Sequence, residues 1–165
     1  MFRSADFNVL IRICLLRSGP QDMRYSPSLL GALVVLSALL SFAVMSGLDD
    51  PGGNPASVLL HTGLGLAMPY ALLQIRRLGS RYVQTACAFF GTSLLLTIAL
   101  LPALLASSGS SPTLWPALWW LGIVIWSIAV LGHILTQSLD VSRGVALALA
   151  IGYFVISIWI GQVIG

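Results

Sequence analysis

Polar residues in this chain are gathered into short breaks between long apolar runs. Five runs stand out, at residues 27–48, 56–75, 82–106, 115–137 and 144–164. An α-helix rises 1.5 Å per residue, so about 20 mostly apolar residues cross the hydrocarbon core of a bilayer. Each run meets that length. The pattern predicts an all-α, polytopic transmembrane helix bundle of five spans over residues 27–165, preceded by a separate segment over residues 1–26. Four spans with one run re-entrant is the alternative.

The breaks read as turns. They are DDPGGNP at 49–55, RRLGSR at 76–81, SSGSSPT at 107–113 and SLDVSR at 138–143. Pro, Gly, Asn and Ser are the residues that turns select, and none of these stretches is long enough to fold by itself. Pro27 sits in the first turn of its helix, where a missing N–H costs nothing. Pro69 lies inside the second run and predicts a bend. Pro102, near the end of the third, predicts a kink or an early stop.

The segment ahead of the first span mixes Phe2, Phe7, Val9, Leu10, Ile13 and Leu16 with Arg3, Asp6, Arg12 and Arg17. It is too short and too charged to span. It predicts an amphipathic helix lying along the membrane interface, with arginines reaching headgroups. Leu10, Ile11 and Leu15 widen its apolar face, which leaves open a docking role toward a partner protein. Arg12 interrupts the short apolar run and no small-residue cleavage site follows, so a cleavable signal peptide is not expected.

Composition agrees with the pattern. Of 165 residues, 58% are hydrophobic and 8% charged, where a soluble domain carries about 25% charge. All eight basic residues are arginine and all five acids aspartate. Arginine falls in alternate breaks only: Arg3, Arg12, Arg17 and Arg24, then Arg76, Arg77 and Arg81, then Arg143. The other two breaks hold Asp49 and Asp50, or no charge. Under the positive-inside rule this predicts a cytoplasmic N-terminus and a C-terminus on the far side, and the alternation needs all five spans. Trp115, Trp119, Trp120 and Trp159 fall at the outer ends of their spans, as interfacial anchors do, while Trp126 lies deeper and reads as packing. The net charge of +3 forms no stripe suited to a phosphate backbone, so no nucleic-acid partner is expected. Cys14 and Cys87 both fall toward the cytoplasm and predict no disulfide.

Candidate chemistry is sparse. His61 and His133 are separated in depth by roughly 20 Å and cannot share a ligand. At the inner ends of the spans, Gln74, Gln84, Cys87, His133, Gln137 and Asp140 form a possible polar cluster. His133 and Gln137 share a helix face, and Asp140 would stack two turns below His133 if the helix continued that far. Either a polar pocket or helix ends meeting headgroups accounts for this set. A metal site would have only Cys87, His133 and Asp140 to draw on, so no metal or cofactor is expected. No phosphate loop, zinc-protease pattern or nucleophile elbow is present. Gly63, Ala67 and Ala71, and likewise Gly144, Ala148 and Gly152, recur every fourth residue. They mark a helix-packing face, either within the protomer or toward another membrane protein.

Three stretches carry a family resemblance: GPQDMRYSPSLL leading into the first span, RYVQTACAFFG opening the third and WSIAVLGHILTQSLD closing the fourth. With the five closely spaced spans, they resemble the Yip-like family, in particular uncharacterised proteobacterial inner-membrane members. The resemblance implies an inner-membrane protein acting through other membrane proteins, and it supplies no catalytic residue. Eukaryotic Yip-like proteins bind small GTPases through a longer cytosolic region, a role that does not transfer to a 26-residue segment. The resulting expectation is a non-enzymatic accessory or scaffold protein whose partners are the lipid bilayer and other membrane proteins or itself. A small transporter, channel or lipid-handling protein is the second expectation. An embedded enzyme, with His133 and Asp140 as its only candidate pair, is the third.

Overall fold

The computed structural model describes residues 4–47, 55–107 and 114–164. All regular structure among them is helical. Six α-helices, α1 (Ser4–Cys14), α2 (Pro27–Gly47), α3 (Pro55–Ile75), α4 (Tyr82–Ser107), α5 (Leu114–Leu139) and α6 (Arg143–Ile164), are joined in part by short 3₁₀ turns at Pro20–Asp22 and Gly79–Arg81. Helices α2 to α6 are long and apolar enough to cross a membrane. They match the five predicted runs to within two residues at each described end. The predicted turns over 49–55 and 107–113, apart from Pro55 and Ser107, lie outside the described residues, as do Asp49, Asp50 and Arg3.

Local chemistry explains the helix ends. Ser26 caps α2: its Oγ accepts from the Leu29 N–H at 3.3 Å, with Pro27 following as the first helical residue. α3 and α5 end on residues in the left-handed region, Arg77 (φ 58) and Asp140 (φ 52). After α3, the Leu78 N–H returns to the Leu73 carbonyl at 2.8 Å, a Schellman closure built without glycine. The helix therefore stops at Leu139 and does not carry Asp140 below His133. Pro102 does not stop α4, which runs on to Ser107.

α4 is the centre of the bundle. It packs on α1, α2, α3 and α5, with the broadest contacts in α4–α5, α5–α6 and α2–α4. Ala86, Cys87 and Ala88 are each 0% exposed. Three consecutive residues sweep about 200° around a helix, so α4 is enclosed on most sides at this level. Small side chains there allow the neighbours to approach. At the periphery the reverse holds: Leu59, Leu105, Leu118 and Trp159 are more than 60% exposed. Such a surface suits lipid, where helices associate by close packing and hydrogen bonding instead of by escaping water.

The two small-residue stripes do not pack the protomer. Gly63, Ala67, Ala71, Gly144 and Ala148 are exposed and Gly152 is half-buried. A Cβ added at Gly63, Gly144 or Gly152 would meet nothing within 4 Å. The packed stripes sit two residues away: Gly65, Pro69 and Leu73 on α3, and Ala146 and Ala150 on α6. Two residues are about 200° of helix, so the expected stripes look out where their neighbours look in. Gly65 is held inward by aromatic bulk on α4. A Cβ there would lie 2.9 Å from Phe89 Cε1 and 3.1 Å from Phe90 Cζ. On α6, Ala146 and Ala150 let α5 approach, so that a Cβ on Gly132 would stand 3.6 Å from the Leu147 Cα.

The N-terminal segment forms the expected amphipathic helix, with a contact the sequence did not announce. Instead of resting only on the interface, α1 docks into the bundle against α4 and α5. Asp6, Leu10 and Ile13 share one face and are buried. Leu10 fills the space over Gly91, where an added Cβ would meet its Cδ2. Phe7, Ile11, Leu15 and Leu16 stay exposed on the other side. The overly wide apolar face is thus two faces, one against protein and one toward lipid.

Candidate functional site

The return from α1 runs along the inner half of α5. Trp126 Nε1 donates to the Cys14 carbonyl at 3.0 Å, satisfying an acceptor that the end of α1 leaves open. His133 Nε2 donates to the Ser18 carbonyl at 3.0 Å, which requires a proton on that nitrogen. Gln21 Nε2 reaches Gln137 Oε1 at a long 3.4 Å. On α4, Gln84 Nε2 donates to the Met23 carbonyl at 2.7 Å, and the Cys87 thiol lies 4.0 Å from the Ser26 carbonyl. The GPQDM stretch makes these contacts possible. Asp22 Oδ2 accepts from the Gly19 N–H at 3.1 Å and closes the 3₁₀ turn that presents Pro20 and Gln21 to the bundle.

Between this turn and the inner ends of α4 and α5 lies a cleft of about 260 Å³. Its floor is a buried hydroxyl pair. The Thr85 hydroxyl is 2.9 Å from the Arg81 carbonyl and 3.0 Å from Ser138 Oγ, which itself donates to the Ile134 carbonyl at 2.8 Å. Gln84 and Gln137 form walls, and Pro20 and Gln21 cover one side. At the rim Arg81 Nη1 bonds Asp140 Oδ2 at 2.8 Å and the Ser138 carbonyl at 3.4 Å, placing a cation at the C-terminus of α5. The side chains of the ion pair are 42% and 64% exposed, so water screens their attraction.

Of the expected cluster, Gln84, Gln137 and Asp140 meet in this cleft. Gln74 is exposed on α3 and takes no part. Cys87 is enclosed by apolar residues, among them Leu10, Ile13 and Met23. His133 is occupied by Ser18. The His133–Asp140 pair is not formed, since Asp140 turns to Arg81. His61 lies in the opposite half of α3 and lines a different chamber. Gln21, Arg81 and Ser138 belong to the cleft but were not expected there. The only sequence signal for Arg81 was that Asp140 is the sole acid among the arginines of the connecting turns. Cys14, half-buried at the end of α1, has its thiol pushed up to about 11 by burial. The arrangement suits hydrogen bonding; Gln84 and Gln137 are engaged with the N-terminal segment, while Arg81, Thr85 and Ser138 tie α4 to α5 or bond back along their own helices.

These features define the class: an all-α, multi-pass membrane protein whose N-terminal helix is built into its bundle. No protein-family model, curated protein or solved structure matches the chain.

Proposed function

We propose that this chain is a non-enzymatic accessory or scaffold protein of the bacterial inner membrane, with its arginine-rich end in the cytoplasm. It joins other membrane proteins, or a second copy of itself, through the outer faces of α3 and α6. The observation that carries the reading is the outward aim of both small-residue stripes. Gly63, Ala67, Ala71, Gly144 and Ala148 are exposed, which leaves room for another helix backbone to approach closely. The orientation rests on the arginine alternation, and the Yip-like layout adds support from architecture alone. The docking of α1 shifts the partner contact away from the N-terminal helix, whose protein-facing side is already used.

The test is purification in mild detergent from the native membrane. A stoichiometric partner, or a homo-oligomer, is expected. Ala148→Leu and Ala67→Leu should remove it without moving the melting temperature of the bundle. A clean monomer would refute the reading.

The inner cleft favours a second reading, in which the protein passes or presents a polar group at the inner leaflet. On that reading Gln84→Ala abolishes flux in reconstituted vesicles while assembly survives. On the scaffold reading no flux is found in either protein.

A further inference from the structure

The half of the bundle remote from the arginines holds a chamber that neither the cleft nor the exposed stripes use. Two adjoining hollows, of about 330 Å³ and 310 Å³, share His61, Phe89, Ser93, Thr97 and Tyr153 as walls. Among the described residues no Asp or Arg lines either one.

Hydroxyls in membrane helices ordinarily bond back to the carbonyl four residues earlier. Thr85, Thr92, Ser127, Thr136 and Ser138 all do so. Thr92 and Ser127 line the chamber and are satisfied in this way, but other polar groups of the same lining are not. Ser157 Oγ is buried with no hydrogen-bond partner. The Tyr153 hydroxyl, one turn away, is its hydrogen-bonding neighbour, in a geometry too poor to satisfy it. Among the described residues, His61, Ser93 and Thr97 also make no hydrogen bond to protein, and all three line the same space. Polar groups inside a membrane protein are costly unless something answers them. Here four of them converge on one uncharged space, largely apolar in its wider hollow.

We infer that this chamber binds a neutral, ring-headed membrane lipid of the quinone class. The absence of any cation in the lining argues against phosphate-headed lipids, which select Arg or Lys. An imidazole N–H and three hydroxyls supply donors for ring carbonyls. Phe89 meets Phe90 and Tyr153 edge to face, at centroid distances of 5.3 and 5.4 Å, giving the chamber aromatic walls suited to a flat head. Leu96, Leu100 and Ile123 extend an apolar lining for a tail, and Ser93, exposed at the wall, marks an opening through which the tail reaches lipid. Such a site, mostly apolar with a few convergent polar groups, is the usual form of a small-molecule pocket.

The inference is independent of the scaffold reading, because Ala148 and Ala67 line neither hollow. Its test is equilibrium binding of a benzoquinone carrying a ten-carbon tail to the full-length protein in detergent. Saturable uptake of one molecule per chain is expected. Thr97→Val, which keeps shape and removes the hydroxyl, should weaken it by about 3- to 10-fold, the worth of one neutral hydrogen bond. His61→Phe should weaken it at least as much. Thr97→Val should melt like the parent, so its loss of binding would not reflect unfolding. A dioctanoyl phosphatidylglycerol should fail to compete. Absence of saturable uptake, parental affinity in both variants, or full competition by the phospholipid would each overturn the proposal.

Discussion

The docking of α1 gives the sharpest energetic test of this fold, because it rests on one knob and one hole. Leu10 is 2% exposed and sits over Gly91, where any Cβ would collide with its side chain. Leu10→Ala leaves a cavity and should cost about 2–5 kcal/mol of docking free energy. Gly91→Ala overpacks the same spot and should cost about 1–3 kcal/mol. The double variant should cost less than the sum, by about 0.5–3 kcal/mol, since the new methyl occupies part of the space that Leu10 vacates. Cys14 reports the outcome when Cys87 is replaced by alanine. Burial raises the Cys14 thiol from 9.0 to about 11. At pH 8 the docked state therefore holds about 100-fold less thiolate, the reactive form, than a freed helix. The linkage has a definite sign. Docking favours the protonated thiol, so its contribution is intact below pH 9 and is lost as pH rises toward 11. Iodoacetamide labelling at pH 8 should be slow in the parent, faster in each single variant, and in the double slower than the summed single costs would give. Equal rates in all four proteins, or strictly additive costs, would refute the knob-in-hole account.

Other consequences can be measured as directly. Gly65→Ala brings a methyl against the rings of Phe89 and Phe90 and should destabilise the bundle by about 1–3 kcal/mol, read as a lower detergent melting temperature. Asp140→Asn removes an exposed ion pair and should change stability by less than about 1 kcal/mol, with a difference that shrinks as salt is added. Arg77 holds φ 58 at the end of α3. Arg77→Gly should therefore be more stable than Arg77→Ala by about 1 kcal/mol, a comparison that cancels the lost charge. Reporter fusions placed after Ser80 and after Gly165 should signal opposite sides of the membrane, and the same side for both would overturn the five-span orientation.

The spans were legible because bilayer thickness sets them: a run of twenty apolar residues needs no knowledge of its neighbours. The facing of each helix was not legible. In lipid both sides of α3 and α6 are apolar, so Gly63/Ala67/Ala71 and Gly65/Pro69/Leu73 are equivalent until Phe89 and Phe90 are placed beside the second set. The same limit applied to α1, whose inner face is recognised only by Gly91, about 80 residues later. In the cleft, Gln84 and Gln137 were legible from their depth at helix ends. Cys87 shares that depth but points into the apolar core, and His133 is drawn off by a backbone carbonyl that no side-chain pattern announces. Arg81 was read as a topology signal, although it also fastens the end of α5 through Asp140.

The partners of α1 are made long after α1 itself. Its carbonyl contact with Trp126 closes a separation of 112 residues, and His133 meets Ser18 across 115. At about 5–20 residues per second, roughly ten seconds of synthesis pass before both partners exist. α4, which seats Leu10 at Gly91, is made earlier in that interval, but the contacts of α1 with α5 stay open to its end, and the headgroup region is the place where an amphipathic helix can wait. An early element of the chain is thus among the last to be fully seated. A truncated chain lacking α5 would hold α1 through α4 alone, with the Cys14 and Ser18 carbonyls left without their Trp126 and His133 donors, a half-seated helix for quality-control machinery to recognise.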